Sequence, residues 1–336
     1  MKRILSGITP SSSKGLHLGN FFGAVKPHLE FQEKGECFFF VADLHSLNSV
    51  FSPSEVSANS KNIFIEYLSF GIDPQKTTFY LQSDITPIPY LQNILNNVVT
   101  VSELARMHAY KDKLQKETDS QSINFGLFSY PVLMASDILM FEADIIPVGE
   151  DQAQHVEIAR EIAKTFNNRY GEVLKVPELY VKKEVAKVPG TDGLRKMSKS
   201  LGNDISIFED EEIIKKQIMS IVTDPARIHP TDPGDPAKNP CFAYLNLLNY
   251  NKIKKEVDPT VIEMMDQYKR GTIGDVTIKR IMFNTFMEYF SDVRAKKRKL
   301  ERQSDTISDI RTNGSKRANE IANKTLEKVK KAIGIW

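Results

Sequence analysis

The chain has 336 residues, which is long enough for a well-buried core and for two domains. Its 41% hydrophobic and 26% charged residues are typical of a globular protein, and its net charge of +2 is too small to indicate nucleic-acid binding. No apolar run approaches the roughly 20 residues that cross a bilayer, and the N-terminus reaches Ser6-Gly7 before a secretion signal could form. We therefore expect a cytoplasmic protein that is not attached to a membrane.

Short apolar runs alternate with helical patterns through the first two-thirds of the chain. This alternation predicts an α/β fold with a parallel sheet. The predicted strands cover residues 3–6, 37–41, 78–81 and 145–148. Ser52-Pro53 is typical of a helix start and Gly71 of a helix end. Residues from about 88 to 117 have a helical pattern without a strand, so we predict a helical insertion between the two halves of the sheet.

The composition changes after Phe208, and the rest of the chain is predicted to be helical. The exception is residues 223–240, whose five prolines predict an ordered loop or linker. Apolar residues at three- and four-residue spacing between Ile278 and Val293 predict one helix with a core-facing stripe. A basic run at residues 294–299 is explained equally well by a solvated helix end and by contact with RNA. Cys37 and Cys241 lie far apart and outside any metal-binding spacing, which favours two free thiols.

A loop of small residues follows the first strand and leads into a helix near Gly19. Unpaired N–H groups and positive potential at a helix start suit a phosphate. Gly19 would let another group approach the backbone, while His17 and Asn20 supply polar contacts. A glycine and an asparagine at a helix start are also common for structural reasons alone.

Lys196-Met197-Ser198-Lys199-Ser200 forms a second motif, flanked by glycines. Two lysines on a glycine-flanked loop can move in and neutralise the charge of leaving phosphates. The alternative is a surface loop with scattered lysines.

A third motif is Asp137, which lies in an otherwise apolar helical segment over residues 128–141. An unpaired carboxylate would be costly in such a place, so it either pairs with a buried arginine or backbone donors, or accepts an N–H from a ligand. An indole has one such donor. Tyr130 and Met134, seven and three residues before Asp137, can line the same pocket.

A fourth motif runs from Val148 to His155, where a strand ends and a helix begins. Ligand sites in open α/β sheets gather at the carboxyl ends of strands. Gln152 can bind an ammonium or a carboxylate, and the Gly149 and Asp151 region can face a ribose. The Glu150-Asp151 pair is also an ordinary helix cap.

Together these motifs resemble a known family. The segment around His17 resembles the His-Ile-Gly-His signature of class I aminoacyl-tRNA synthetases, with Asn20 in place of the last histidine. Residues 196–200 match the family's Lys-Met-Ser-Lys-Ser signature at every position. The block from Tyr130 to Arg160 resembles the bacterial tryptophanyl-tRNA synthetases, and the resemblance is specific from Met1 to Phe208.

The resemblance implies activation of L-tryptophan with Mg-ATP and transfer to the terminal adenosine of tRNA(Trp). The implied catalytic residues are Lys196, Lys199, Ser198, His17 and Asn20. The implied ATP contacts are Thr9, Pro10, Ser11, Gly19, Asn20, Gly149, Glu150, Asp151, Val188, Lys196, Met197, Ser198, Lys199 and Ser200. The implied tryptophan contacts are Asp137, Tyr130, Met134, Gln152 and His45.

The family also implies an architecture. Residues 1–208 would form a Rossmann-like catalytic domain whose helical insertion, about 86–143, contributes to the tryptophan pocket and a dimer interface. Residues 209–336 would form a helical anticodon-binding domain. We expect a homodimer, with Mg²⁺ held mainly by the ATP phosphates, no iron–sulfur cluster and no DNA partner.

The chain departs from the family pattern at Thr9, where many bacterial members have glutamine, and at Leu44 within Asp43-Leu44-His45. Three other functions compete with the tryptophan enzyme. A tyrosyl-tRNA synthetase is disfavoured by the block from Tyr130 to Arg160, and a small-molecule nucleotidylyltransferase by the complete lysine motif and the long helical C-terminus. A non-catalytic paralogue would not need Lys196, Lys199, Asp137 and Gln152.

Overall fold

The structure is a computed structural model, and it describes residues 1–107, 110–111, 124–149, 152–181, 188–251 and 256–335. The predicted ATP contacts Glu150 and Asp151 lie outside these residues, as does much of the later part of the predicted helical insertion. In the part of the chain that the structure describes, no helix has both the length and the apolar character needed to cross a membrane.

A five-stranded parallel sheet forms the centre of the α/β fold, in the order β3-β2-β1-β4-β5. The strands are β1 Arg3–Ile8, β2 Glu36–Val41, β3 Thr77–Leu81, β4 Ile145–Val148 and β5 Glu178–Val181. The four predicted strands are confirmed. The fifth was not predicted, because β5 is a short edge strand whose apolar run covers only residues 179–181. The strand order reverses beside β1, which places a ligand-binding crevice at the carboxyl ends of β1 and β4.

Most of the other regular structure in the described residues is helical. In the first two-thirds the helices are α1 Leu18–Asn20, α2 Lys26–Phe31, α3 Asp43–Ser46, α4 Pro53–Phe70, α5 Pro87–Leu95, α6 Val101–Ala105, α7 Phe125–Met140 and α8 Ala153–Tyr170. The later helices are α9 Glu211–Met219, α10 Pro240–Leu248, α11 Pro259–Lys269, α12 Asp275–Tyr289, α13 Ser291–Glu301 and α14 Ser304–Ile333. A π-helix spans Phe21–Val25, and 3₁₀ helices span Gln82–Asp84, Lys199–Leu201 and Pro236–Lys238.

Helix α4 confirms the predicted start and stop signals. Ser52 precedes the helix, Pro53 is its first residue, and Gly71 ends it with φ of +110°, a left-handed conformation that favours glycine. Cys37 and Cys241 are buried free thiols, as predicted, and burial raises the pKa of each to about 12.

Two predictions for the C-terminal part are wrong in detail. The single helix predicted between Ile278 and Val293 is divided into α12 and α13 at Phe290, which leaves helical geometry and is fully buried. Its ring packs edge-on against Phe21 at 5.1 Å, so burial of the ring outweighs continuation of the helix at this residue. A two-stranded antiparallel pair, β6 Tyr250–Asn251 and β7 Glu256–Val257, also lies in the region predicted to be helical.

The proline-bearing loop over residues 223–240 is an ordered loop, as predicted. The guanidinium of Arg227 lies 4.1 Å from the ring centroid of Tyr268, and its Nε donates to the carbonyl of Asp232 at 2.8 Å. Only 1% of this side chain is exposed, so the loop is held by a buried cation.

The chain divides into two compact units that do not follow the boundary expected at residue 208. The first unit comprises residues 1–13, 28–184 and 303–336, and the second comprises 14–27 and 185–302. The last helix, α14, belongs to the first unit because it packs on β3, a contact between distant segments that composition cannot indicate. The assignment of catalytic and anticodon-binding roles to two domains stays a prediction.

Candidate active site

A cavity of about 940 Å³ opens in the first unit at the carboxyl ends of the central strands. Its volume lies within the range of about 300–1,000 Å³ that small-molecule sites occupy. Most of the wall is apolar, and the apolar lining includes Leu5, Phe40, Ala42, Leu127, Met134, Ile138, Ile146 and Val148. The remaining wall carries a few polar side chains, whose positions decide what the cavity can bind.

The carboxylate of Asp137 is part of the wall of this cavity. The residue lies on α7, and only 1% of it is exposed. Nε2 of Gln82 donates to both carboxylate oxygens, at 2.9 and 2.8 Å, and Nε2 of His45 lies 3.0 Å from Oδ2. Burial raises the pKa of Asp137, and the hydrogen bonds from His45 and Gln82 oppose that rise.

Asp137 therefore has partners and still faces the cavity. An ionised carboxylate offers about four acceptor positions, of which Gln82 and His45 occupy three. The partners are neither an arginine nor backbone donors, the alternatives considered from the sequence. An acceptor site toward the cavity remains compatible with this arrangement.

A second polar group consists of Tyr130, His155 and Gln152. The hydroxyl of Tyr130 is hydrogen-bonded to Nε2 of His155, whose Nδ1 lies 2.8 Å from Oε1 of Gln152. An amide oxygen only accepts, so a neutral His155 carries its proton on Nδ1 and accepts from Tyr130 at Nε2. Burial raises the pKa of Tyr130 to about 12, which keeps the phenol protonated as a donor at neutral pH.

Asp43 and His45 follow β2 and have different roles. Asp43 is buried and accepts from the backbone N–H and the hydroxyl of Ser83, at 2.9 and 2.5 Å. His45, two residues later, reaches the cavity. Asp43 thus fixes the turn after β3, while His45 contributes to the wall.

The second unit contains His17–Asn20 and the lysine motif, which were both predicted to bind phosphates. His17 caps α1: its Nδ1 accepts from the N–H of Asn20 at 3.2 Å, and its own N–H donates to Oδ1 of Asn20 at 3.2 Å. Burial, and then the positive charges of Lys199 and Lys196, lower the pKa of His17 to about 4. His17 is therefore neutral at pH 7 and lies within the field of both lysines.

The two motifs touch each other at Gly19. The backbone N–H of Gly19 points at Sδ of Met197, 3.3 Å away. A Cβ on Gly19 would lie 3.0 Å from Cε1 of His17 and 3.3 Å from Cβ of Met197. The ring of His17 and the side chain of Met197 both approach Gly19 closely, and the role of Gly19 in ATP binding stays a prediction.

Asn203 holds the lysine motif in shape. Its Oδ1 accepts from the N–H of Ser198 at 2.8 Å, and its Nδ2 donates to Asp192 at 2.9 Å. The amide fills the space beside Gly190, where a Cβ would lie 2.0 Å from Nδ2. Only 3% of Asn203 is exposed, so the loop carrying Lys196 and Lys199 is built around a buried amide.

The sequence and the fold were then compared with those of known proteins. A family profile described as "tRNA synthetases class I (W and Y)" matches residues 1–291. The chain belongs to this family. A tryptophan–tRNA ligase of Fusobacterium nucleatum is 41% identical to this chain, and the match covers the full chain and 98% of the relative. One of Campylobacter jejuni is 40% identical, and the match covers 99% of the chain and all of the relative. The crystal structure of tryptophanyl-tRNA synthetase from Campylobacter jejuni, complexed with ADP and tryptophan, has a TM-score of 0.89 at 40% identity and covers 99% of this chain and 100% of that one.

The five residues predicted to hold the amino acid lie together in this class I synthetase. Asp137, Tyr130, Met134, Gln152 and His45 all line the cavity in the first unit. Of the predicted ATP contacts in that unit, Thr9 lines it as well, whereas Pro10, Ser11 and Gly149 do not. Their roles stay predictions.

The predicted ATP contacts of the second unit differ in exposure. Lys196 and Ser200 are exposed, and Ser198 and Lys199 are partly buried. Val188 and Met197 are buried and joined by a backbone hydrogen bond of 3.1 Å, and their contact with adenine stays a prediction.

Three residues of the synthetase site were not identified from the sequence. Gln82 directly follows the buried strand β3, so the rule that ligand sites lie at carboxyl ends of strands could have found it. His155 ends the fourth motif, but the sequence pattern predicted no role for it. Asn203 carries no signal, because its importance arises from the fold of its own loop. Within the described residues, no group of three His, Cys, Asp or Glu side chains could hold a metal ion.

Proposed function

We propose that the chain is a tryptophan–tRNA ligase of the bacterial type. The observation that carries this proposal is the buried carboxylate of Asp137 in the wall of a mostly apolar cavity. Such an acceptor among apolar side chains suits the single N–H of an indole ring. The names of the relatives, tryptophan–tRNA ligases at 35–41% identity over nearly the whole chain, support the same amino acid.

Within this proposal, Met134 packs against the indole and Asp137 accepts its N–H. Tyr130 and Gln152 hold the backbone end of the amino acid, because their hydrogen bonds to His155 orient both polar heads. A site built to hydrogen-bond a ligand donor rejects analogues without that donor by roughly 10⁴-fold or more. Selection of tryptophan then needs no separate editing step.

The nucleotide is assigned to His17–Asn20 and to the lysine motif, both in the second unit. His17, Gly19 and Asn20 would contact adenosine and the α-phosphate, and Lys196 and Lys199 would neutralise the β- and γ-phosphates. A neutral His17 donates or accepts hydrogen bonds without adding charge. Its pKa is lowered first by burial and then by the positive charges of these lysines. We propose that ATP enters as its Mg²⁺ complex with phosphate oxygens as the main ligands, which is the usual preference of this ion.

The proposed reaction needs no nucleophile from the enzyme. The carboxylate of tryptophan attacks the α-phosphorus, the bond to the bridging oxygen breaks, and pyrophosphate leaves. The rate enhancement comes from in-line positioning and from stabilising charge on the transferring and leaving phosphates. A hydroxyl of the terminal ribose of tRNA(Trp) then attacks the carbonyl carbon of the adenylate, the bond to the phosphate oxygen breaks, and AMP leaves.

Binding of tRNA is assigned in part to the basic run at residues 294–299. Two of its side chains have structural partners: Arg294 donates to the carbonyls of Ile207 and Glu209, and Lys297 lies 3.7 Å from Glu301. Lys296, Arg298 and Lys299 are exposed and suited to phosphate contacts.

A homodimer in the cytoplasm completes the proposal. Exposed apolar side chains on the described part of the helical insertion support an interface there, namely Tyr90, Val101 and Phe125. Sedimentation of the purified protein tests the dimer.

The experiment that tests the function is amino-acid-dependent exchange of pyrophosphate into ATP, run separately with tryptophan, tyrosine and the other amino acids. Exchange with tryptophan alone is expected. Exchange with tyrosine would show that tyrosine is the substrate in place of tryptophan. The absence of exchange, both with and without tRNA, would favour a non-catalytic paralogue. The Lys199→Ala variant, purified in the same way, controls for contaminating host enzyme.

A further inference from the structure

The last helix, α14, holds the turn that carries Gln82. The guanidinium of Arg311 binds the carboxylate of Asp84 with two hydrogen bonds, of 2.7 and 2.5 Å. Ser315 donates to the same carboxylate at 2.8 Å, and Nδ2 of Asn319 donates to the backbone carbonyl of Asp84 at 2.9 Å. Arg311, Ser315 and Asn319 are spaced four residues apart, so they lie on one face of the helix and all donate hydrogen bonds to Asp84.

Close packing fixes the position of this helix along β3. A Cβ on Gly314 would lie 1.8 Å from the carbonyl oxygen of Phe79, so only glycine allows the observed approach. Ala318 and Ala322, on the following turns, are fully buried. The helix cannot slide without clashing with the strand, because protein interiors are close-packed.

The turn itself connects the hydrogen bonds at Asp84 to the cavity. Gln82, Ser83 and Asp84 form one 3₁₀ turn directly after β3. Asp84 faces α14, Ser83 donates to Asp43, and the fully buried Gln82 donates to both oxygens of Asp137. A displacement of the turn would therefore remove the hydrogen bonds that orient the carboxylate of Asp137.

We propose that Arg311 and Asn319 are positioning residues for tryptophan, acting through the turn at Gln82–Asp84 on the acceptor Asp137. This inference rests on the proposed function, because it assigns the carboxylate to the indole N–H. Arg311 touches no reacting atom, and its effect is confined to the amino-acid site.

The chain offers a matched control on the same helix. Arg317 donates to the carbonyls of Pro74 and Thr77, at 2.5 and 3.3 Å, at the beginning of β3. Arg311 and Arg317 thus both tie α14 to the strand, but only Arg311 reaches the turn that carries Gln82. A purely structural role would make the two substitutions equivalent.

The test is pyrophosphate exchange by full-length wild-type protein and by the Arg311→Ala, Arg311→Lys and Arg317→Ala variants, with KM measured for tryptophan and for ATP. Loss of about one net hydrogen bond should raise the KM for tryptophan about three- to tenfold in Arg311→Ala. We expect kcat and the KM for ATP of Arg311→Ala to stay within about twofold of the wild-type values. Arg311→Lys should recover part of the loss, and Arg317→Ala should keep the wild-type KM for tryptophan.

The analogue in which sulfur replaces the indole N–H, β-(3-benzothienyl)alanine, gives the decisive comparison. Arg311→Ala should not change the analogue's inhibition constant, because that ligand does not use the acceptor. An unchanged KM for tryptophan in Arg311→Ala, or equal changes in the two arginine variants, would overturn the inference alone. A wild-type protein that exchanges with another amino acid, or with none, would overturn the proposed function and this inference together.

Discussion

The N–H of Gly19 and the sulfur of Met197 are 3.3 Å apart, although 178 residues separate them in the chain. This contact joins α1 to the lysine motif, so His17–Asn20 and the lysine motif meet within the second unit. His17 lies beside this contact, because a Cβ on Gly19 would be 3.0 Å from its Cε1. Burial, and then the positive charges of Lys199 and Lys196, lower the pKa of His17.

Gly19→Ala should weaken ATP binding. The new methyl group would lie 3.0 Å from the ring of His17 and 3.3 Å from Met197, so one of the motifs must move. We expect the KM for ATP to rise about tenfold, equivalent to about 1.4 kcal/mol, with the dissociation constant of tryptophan unchanged. Gly274→Ala is the control, because its nearest neighbour would be 3.6 Å away. A normal KM for ATP in Gly19→Ala would show that the close approach has no part in nucleotide binding.

Lys199→Ala should slow formation of the adenylate by about 10²- to 10³-fold, the usual cost of removing a group that stabilises transition-state charge. Tryptophan should bind with the wild-type dissociation constant, because the cavity that contains Asp137 includes no residue of the lysine motif. Single-turnover kinetics and equilibrium binding measure the two quantities. The exposed Lys34→Ala is the control, and a wild-type rate in Lys199→Ala would remove this residue from the phosphate site.

Asp137→Ala should reduce the affinity for tryptophan about 10²-fold or more, because it removes the acceptor and leaves Gln82 without its partner. The affinity for the benzothienyl analogue should change much less. Ser136→Ala, a buried neighbour whose hydroxyl binds only the carbonyl of Val132 among the described contacts, serves as the control. Equal losses for the two ligands would exclude Asp137 as the acceptor.

The wild-type protein should lose stability as the pH falls from 6.5 toward 4. His28 is buried beside Ser6 and Tyr67, and burial lowers its pKa to about 4 from the ordinary 6.5. Between these two pH values the unfolded chain binds more protons than the folded chain. The contribution of His28 to the free energy of unfolding is therefore fully present above pH 6.5, and about 3 kcal/mol of it is lost as the pH falls to 4.

Urea denaturation at pH 7 and pH 5 measures this loss. His28→Phe should show a smaller decrease in the free energy of unfolding between the two pH values than the wild type. His229→Gln changes an exposed histidine and should show the wild-type decrease. An identical decrease in all three proteins would mean that His28 does not cause it.

Local patterns predicted much of the fold, because strands and helices are specified by neighbours in the chain. The apolar runs that became β1 to β4 and the signals at Ser52 and Gly71 needed no partner to be recognised. The break at Phe290 could not be predicted, since it depends on a ring contact with the distant Phe21.

The sequence by itself determined the identity of the chemical groups: two lysines on a loop, a glycine before a helix, and a carboxylate in an apolar helix. Only the tertiary structure decided what holds those groups. The partners of Asp137 come from α3 and from the turn after β3. The anchor of that turn comes from α14, more than 220 residues further along. The physical reason is that hydrogen bonds and close packing act over a few ångströms in space, whatever the separation along the chain.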